Sequence, residues 1–185
     1  MIAIIDYDAG NVKSVQNALK KLGFEAVITS NIETINNADK VIFPGVGEAS
    51  SAMKKLKERG LDTIIPNLKQ PVLGICLGMQ LMCNASEEGN TKALGIFDCE
   101  VKLFPNSDIV PHMGWNNVSE RKGKLLENIS ETDNFYFVHS YYAEIGESTT
   151  SVCDYITPFS ATLEKIIFSR LNFTQKNREM SVLNY

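Results

Sequence analysis

Pro71-Val72-Leu73-Gly74-Ile75-Cys76-Leu77-Gly78-Met79-Gln80 is the stretch that decides the fold. Pro71 to Cys76 is a short apolar run of strand length, and Gly78 to Asn84 reads as the opening of a helix. The join has the form Gly-x-Cys-x-Gly. A strand turning sharply into a helix at such a site makes the nucleophile elbow of the Gly-x-Ser-x-Gly pattern, with sulfur in place of oxygen. The turn forces its central residue toward a strained backbone, and glycines on either side relieve crowding where strand and helix pass closely. Cys76 then stands at the carboxyl end of its strand. A helix N-terminus beneath it favours thiolate over thiol and supplies N–H donors to an oxyanion. A free cysteine is more often a small buried hydrophobe; the strand–turn–helix setting is what makes Cys76 a candidate nucleophile. Cys83, Cys99 and Cys153 read as packing.

Upstream, strands and helices alternate. Ile2, Ile4 and Ile5 form a buried strand that breaks at Asp6-Tyr7-Asp8-Ala9-Gly10-Asn11. Val12, Val15, Ala18, Leu19 and Leu22 follow at helical spacing, with Gly23 as a stop. Phe24 to Thr29 is a second strand and Ile32 to Ala38 a short helix. Lys40 to Phe43 is a third strand, ending in Pro44-Gly45-Val46-Gly47. Ala49, Ala52, Met53 and Leu56 form a helix that closes at Gly60. This alternation predicts an α/β fold with a mainly parallel sheet flanked by helices. Gly95 to Pro105, Trp115 to Val118 and Asn134 to Ala143 are strands without long helices between them, so antiparallel additions at one end of the sheet are expected. No repeat, low-complexity segment or linker divides the chain.

Composition bounds the function. The chain has 185 residues, 44% hydrophobic and 22% charged, which suits one globular domain with a sizeable core. A net charge of -4 argues against a general nucleic-acid or membrane-surface binder. No apolar run reaches membrane-spanning length, and Met1-Ile2-Ala3-Ile4-Ile5-Asp6 lacks the basic start of a signal peptide. The four cysteines form no CxxC pair and have no nearby histidine ligand. A cytoplasmic protein with reduced thiols is expected.

Loops at the carboxyl ends of parallel strands gather at one crevice. Pro44-Gly45-Val46-Gly47 is therefore either a plain strand-ending turn or the second loop whose N–H groups a cysteine nucleophile needs.

Together these residues resemble the class I glutamine amidotransferases, and among them the branch serving as glutaminase subunit of imidazole glycerol-phosphate synthase in histidine biosynthesis. The resemblance runs from Met1 to about Lys165. It is carried by Asp6-Tyr7 with Gly10-Asn11, by Pro44 to Gly47, and by Gly74 to Gln80. Pro111-His112-Met113-Gly114-Trp115-Asn116, Tyr136-Phe137-Val138-His139-Ser140-Tyr141 and Thr157-Pro158-Phe159 complete it. It implies hydrolysis of glutamine to glutamate and ammonia, with Cys76 forming a thioester. The oxyanion hole would comprise Gly45, Val46, Gly47 and Leu77. Gln80, His139, Ser140 and Tyr141 would hold glutamine. The ammonia would pass to a (β/α)8-barrel cyclase subunit, met by Asp6 to Asn11 and His112 to Asn116, with Asn11, His112, Trp115 and Asn116 as contact residues. No metal or organic cofactor is implied. Trp115, the single tryptophan, has a second interpretation as a core residue.

The chain departs from the family near its C-terminus. The family's general base and its orienting glutamate lie in a Phe-His-Pro-Glu-Lys-Ser motif. Only two histidines occur here, His112 and His139, and both belong to other motifs. Joining the third codon base of each residue from Ile166 to the first two bases of the next permits Asn-Phe-Leu-Ala-Thr-Gln-Phe-His-Pro-Glu-Lys-Ser, ending at Asn177/Arg178. Residues 166–185 are therefore expected to be an out-of-frame tail replacing the end of a domain that spans 1–165. A strand should survive through about Phe168, with Thr174 to Ser181 loosely packed and no histidine in reach of the Cys76 sulfur. Two other possibilities stay open: a triad-deficient glutamine-binding or scaffold subunit, and a cysteine hydrolase whose base is His139.

Overall fold

The computed structural model describes residues 1–130, 132–167 and 178–183, with side chains through 165. The chain runs β1 (Ile2–Ile5), α1 (Val12–Lys21), β2 (Ala26–Thr29), α2 (Ile32–Asn36), β3 (Lys40–Gly45), α3 (Ala49–Glu58), α4 (Leu61–Ile64), β4 (Val72–Cys76) and α5 (Leu77–Gln80). Then follow β5 (Ala85–Ser86), β6 (Thr91–Lys92), β7 (Glu100–Leu103), β8 (His112–Asn116), β9 (Phe135–His139), β10 (Tyr141–Ala143), β11 (Thr149–Asp154), β12 (Pro158–Ile167) and β13 (Arg178–Leu183).

The central sheet has the order β11-β12-β13-β4-β3-β1-β2. Its β2, β1, β3, β4 and β13 are parallel, and β12 and β11 are antiparallel additions at one edge. The expected α/β architecture is thus present. The parallel strands are apolar throughout because helices cover them: Ala3, Ile4, Ile5, Val41, Phe43 and Val72 are buried, and α3 lays Ala49, Ala52, Met53 and Leu56 on the core. The remaining strands form two smaller sheets, β10-β7-β5-β6 and β8-β9. A second apolar cluster lies among Phe104, Phe137, Cys153 and Phe159. No helix among the described residues is long and apolar enough to cross a membrane.

Three expectations need correction. The helix predicted over Gly78 to Asn84 stops at Gln80. The carbonyls of Leu81, Met82 and Cys83 accept N–H groups from the returning segment at Leu94, Ile96, Phe97 and Gly95 instead of continuing a helix. The strand predicted over Asn134 to Ala143 is broken at Ser140: β9 pairs with β8, whereas β10 pairs with β7. The loosely packed Thr174 to Ser181 is overturned in part. Residues 174–177 and Phe168 lie outside the described residues. Arg178 to Ser181 belong to β13, which sits between β12 and β4. The physical reason is that a sheet ladder is made by backbone groups, so any segment of strand length can satisfy the N–H and C=O groups that β4 and β12 present.

Candidate active site

Cys76 ends β4 and begins the turn into α5, with φ 54 and ψ -118. A non-glycine residue in that region is strained by about 1–3 kcal/mol. The flanking glycines owe their place to close approach. A Cβ at Gly78 would be driven into the carbonyl oxygen of Phe43 and lie 2.9 Å from its carbonyl carbon. One at Gly74 would meet Met82 Sδ at 2.7 Å and the Met79 backbone at 3.1 Å. The parallel register brings Gly45 of β3 opposite Cys76. Gly47, at φ +100, carries the loop away in a conformation few side chains allow. The hydroxyl of Tyr7 lies under this loop, buried and without a hydrogen-bond partner.

A cavity of about 580 Å³ opens over the elbow. Pro44, Gly45, Val46, Gly47, Cys76 and Leu77 form one wall, and Gln80, His139, Ser140 and Tyr141 another. Every oxyanion-loop and substrate-wall position singled out in the sequence therefore reaches one cavity. Two of them share an acceptor: the carbonyl of Tyr141 takes a bond from Gln80 Nε2 at 3.0 Å and from His139 Nδ1 at 2.8 Å. With Nδ1 as donor, His139 Nε2 is left as a buried, unpartnered acceptor.

Burial raises the Cys76 thiol above the ordinary cysteine range; the Leu77 N–H opposes this and the Glu88 charge adds to it. The thiolate preference expected from a helix N-terminus is thus overridden, because α5 has only four residues and burial dominates. A base has to take the thiol proton. Neither histidine is hydrogen-bonded to the Cys76 sulfur among the described residues. His139 is held at about 4, by burial above all, then the opposing Tyr141 bond and the neighbouring His112.

Glu88 was not legible in the sequence. It stands in the polar run Glu87-Glu88-Gly89-Asn90, which looks like a solvent-facing turn, yet it lines the cavity. Its Oε2 accepts the Ala49 N–H at 2.8 Å. Burial raises its pKa, opposed by that bond and aided by Glu48. No cluster of His, Cys, Asp or Glu among the described residues could hold a metal ion.

On the rim, Trp115 is 72% exposed, which removes the core interpretation. It pairs across the β8-β9 ribbon with Tyr136, and Met113 with Val138. These four side chains form an exposed apolar face beside the cavity, because their partners in the alternation point inward. Asn11 is exposed and Asn116 half-buried. His112 is buried, stacked between Phe137 and Tyr155 at ring distances of 5.0 and 4.0 Å. Its side chain supports the ribbon from beneath, where the sequence placed it among the contact residues.

The family model described as glutamine amidotransferase class-I matches residues 3–171. The imidazole glycerol phosphate synthase subunit HisH of Bacteroides fragilis strain YCH46 is 55% identical over 175 residues, covering 93% of this chain and 89% of that protein. Subunit HisH 2 of Methanococcus maripaludis is 45% identical over 174 residues, covering 89% and 86%. Among solved structures, a putative GMP synthase protein from Thermoplasma acidophilum superposes with TM-score 0.66 at 13% identity, covering 98% of this chain and 81% of that one. The glutaminase domain of Trypanosoma brucei CTPS with bound acivicin gives 0.60 at 16%, covering 88% and 80%. At such identities the structures speak for the fold.

Proposed function

Because the chain belongs to the class I glutamine amidotransferases, we propose that it is the glutaminase subunit of an imidazole glycerol phosphate synthase, acting in the cytoplasm. The observation that carries this is Cys76, in its strained elbow, facing the Pro44 to Gly47 loop across one cavity. The names of its relatives support the assignment to histidine biosynthesis.

In this role the Cys76 sulfur attacks the side-chain amide carbon of glutamine. The negative charge then gathers on the amide oxygen, where N–H groups of the Gly45 to Gly47 loop and of Leu77 receive it. The C–N bond breaks, the nitrogen takes a proton and leaves as ammonia, and Cys76 is left as a thioester. Water hydrolyses the thioester to glutamate and the free thiol. Glu88 suits the α-ammonium of glutamine, and Gln80, its Nε2 held by Tyr141, keeps Oε1 for the same ligand. The ammonia passes to a (β/α)8-barrel cyclase, which docks as a heterodimer partner on the face of Met113, Trp115, Tyr136 and Val138 together with Asn11 and Asn116. No cofactor takes part in this scheme.

Both proton transfers need a group that the two histidines of this chain do not supply. We therefore read residues 166–185 as an out-of-frame tail, with the base and its glutamate in the restored frame. The DNA from the Glu164 codon onward tests this: if no single-base change restores His-Pro-Glu, the frame idea is wrong. Glutamine turnover with the cyclase present should rise about 10²–10⁴-fold on restoring the frame. It should vanish in the restored Cys76→Ala protein, while ammonia-dependent product formation continues. Retained glutamine turnover in Cys76→Ala would remove the nucleophile assignment. No gain from the restored frame would leave a non-catalytic subunit of the same complex.

A further inference from the structure

Cys83 lies just beyond α5, and the chain returns past it at Cys99. The Asn84 N–H donates to the Cys99 carbonyl at 2.9 Å and the Gly95 N–H to the Cys83 carbonyl at 2.9 Å, so the two backbone runs lie side by side. This brings the sulfurs to 3.5 Å, and Cys83 Sγ also lies 3.7 Å from the Met79 carbonyl. A disulfide needs about 2.05 Å between sulfurs, a gap that small side-chain rotations close. The two thiols are not equivalent. Cys83 is fully buried and Cys99 is 8% exposed. The hydrogen bond between them, then burial, pushes Cys83 up, and the same bond lowers Cys99. Cys99 is thus the sulfur that ionises more readily and that a small reagent reaches first.

We propose that Cys83 and Cys99 form an oxidisable dithiol, converted to a disulfide by a two-electron oxidant of the peroxide class. Hydrogen peroxide transfers one oxygen to the Cys99 thiolate, which with a proton gives the sulfenic acid and water. The Cys83 sulfur then attacks the Cys99 sulfur, expelling a second water and forming the S–S bond. Two thiols and one peroxide become one disulfide and two waters. The link encloses residues 84–98, the segment that carries Glu88 into the cavity. It does not depend on the glutaminase role or on the frame of the tail.

The test is peroxide treatment of the full chain as it stands, alkylation of remaining thiols in denaturant, and peptide mass analysis without reduction. We expect a peptide joining Cys83 to Cys99, about 2 Da lighter than its two parts, lost on dithiothreitol treatment. The same link should form in Cys76→Ser, where the elbow thiol cannot compete, and should be missing in Cys83→Ser and Cys99→Ser. Recovery of both cysteines as alkylated thiols, as separate sulfinic acids, or linked instead to Cys76 would overturn the proposal.

Discussion

Replacing Gly78 by alanine sets two effects against each other, and the structure decides which wins. In an isolated helix the change favours folding by about 1 kcal/mol, since alanine is the better helix former. Here the added methyl meets the backbone of β3: its carbon would be forced onto the Phe43 oxygen, with the Phe43 and Pro44 carbonyl carbons at 2.9 and 3.2 Å. Both sides of that contact are main chain, so no side-chain rotation relieves it. Overpacking costs about 1–3 kcal/mol and occasionally more, and a contact between rigid elements belongs at the upper end. A net loss of about 2–3 kcal/mol corresponds to a fall of roughly 4–12 °C in Tm for a chain of this length. Gly74→Ala is the internal control, because its nearest obstacle is the flexible end of Met82 at 2.7 Å. It should cost about 1 kcal/mol, within the low part of the same range. Thermal unfolding of the three proteins checks this. If Gly78→Ala melts within about 2 °C of the parent, or if Gly74→Ala falls as far, then close backbone approach is not why glycine occupies position 78.

His139→Asn should flatten the acid limb of the stability curve. His139 has its folded pKa depressed from 6.5 to about 4, so the stability it contributes is present above the unfolded value and lost as pH falls through the folded one. That is worth about 3 kcal/mol across the window; denaturant midpoints between pH 7 and 4 that fall equally in both proteins would contradict it. Trp115→Ala should leave stability within about 0.5 kcal/mol, as for exposed residues generally, yet weaken cyclase binding by about 2 kcal/mol or more. Thermal unfolding and a binding titration separate the two, and unchanged affinity would remove Trp115 from the docking face. Glu88→Gln in the frame-restored protein should raise KM for glutamine far more than it lowers kcat. An unchanged KM would mean that Glu88 does not meet the α-ammonium.

Periodicity was enough for the parallel half of the molecule. The runs at Ile2 to Ile5, Lys40 to Phe43 and Pro71 to Cys76 are short, apolar and separated by helical patterns, and local chemistry of that kind has one economical solution. The Gly-x-Cys-x-Gly join announced the elbow for the same reason, since its demands are local: a strained centre and room on both sides. Position in space was another matter. Glu88 enters the cavity only because α3 and the turn after β5 come together, and nothing in a polar tetrapeptide reveals that. The break at Ser140 depends on two different partners, β8 and β7, claiming adjacent segments. The acidity of Cys76 was misjudged from sequence because a helix terminus is a local feature, whereas burial is the sum of everything packed around the sulfur. Trp115 shows the same division. Its neighbours made a loop or strand end legible, but its exposure follows from the ribbon's pairing, which puts His112 and Phe137 inside and leaves the indole on the outer face.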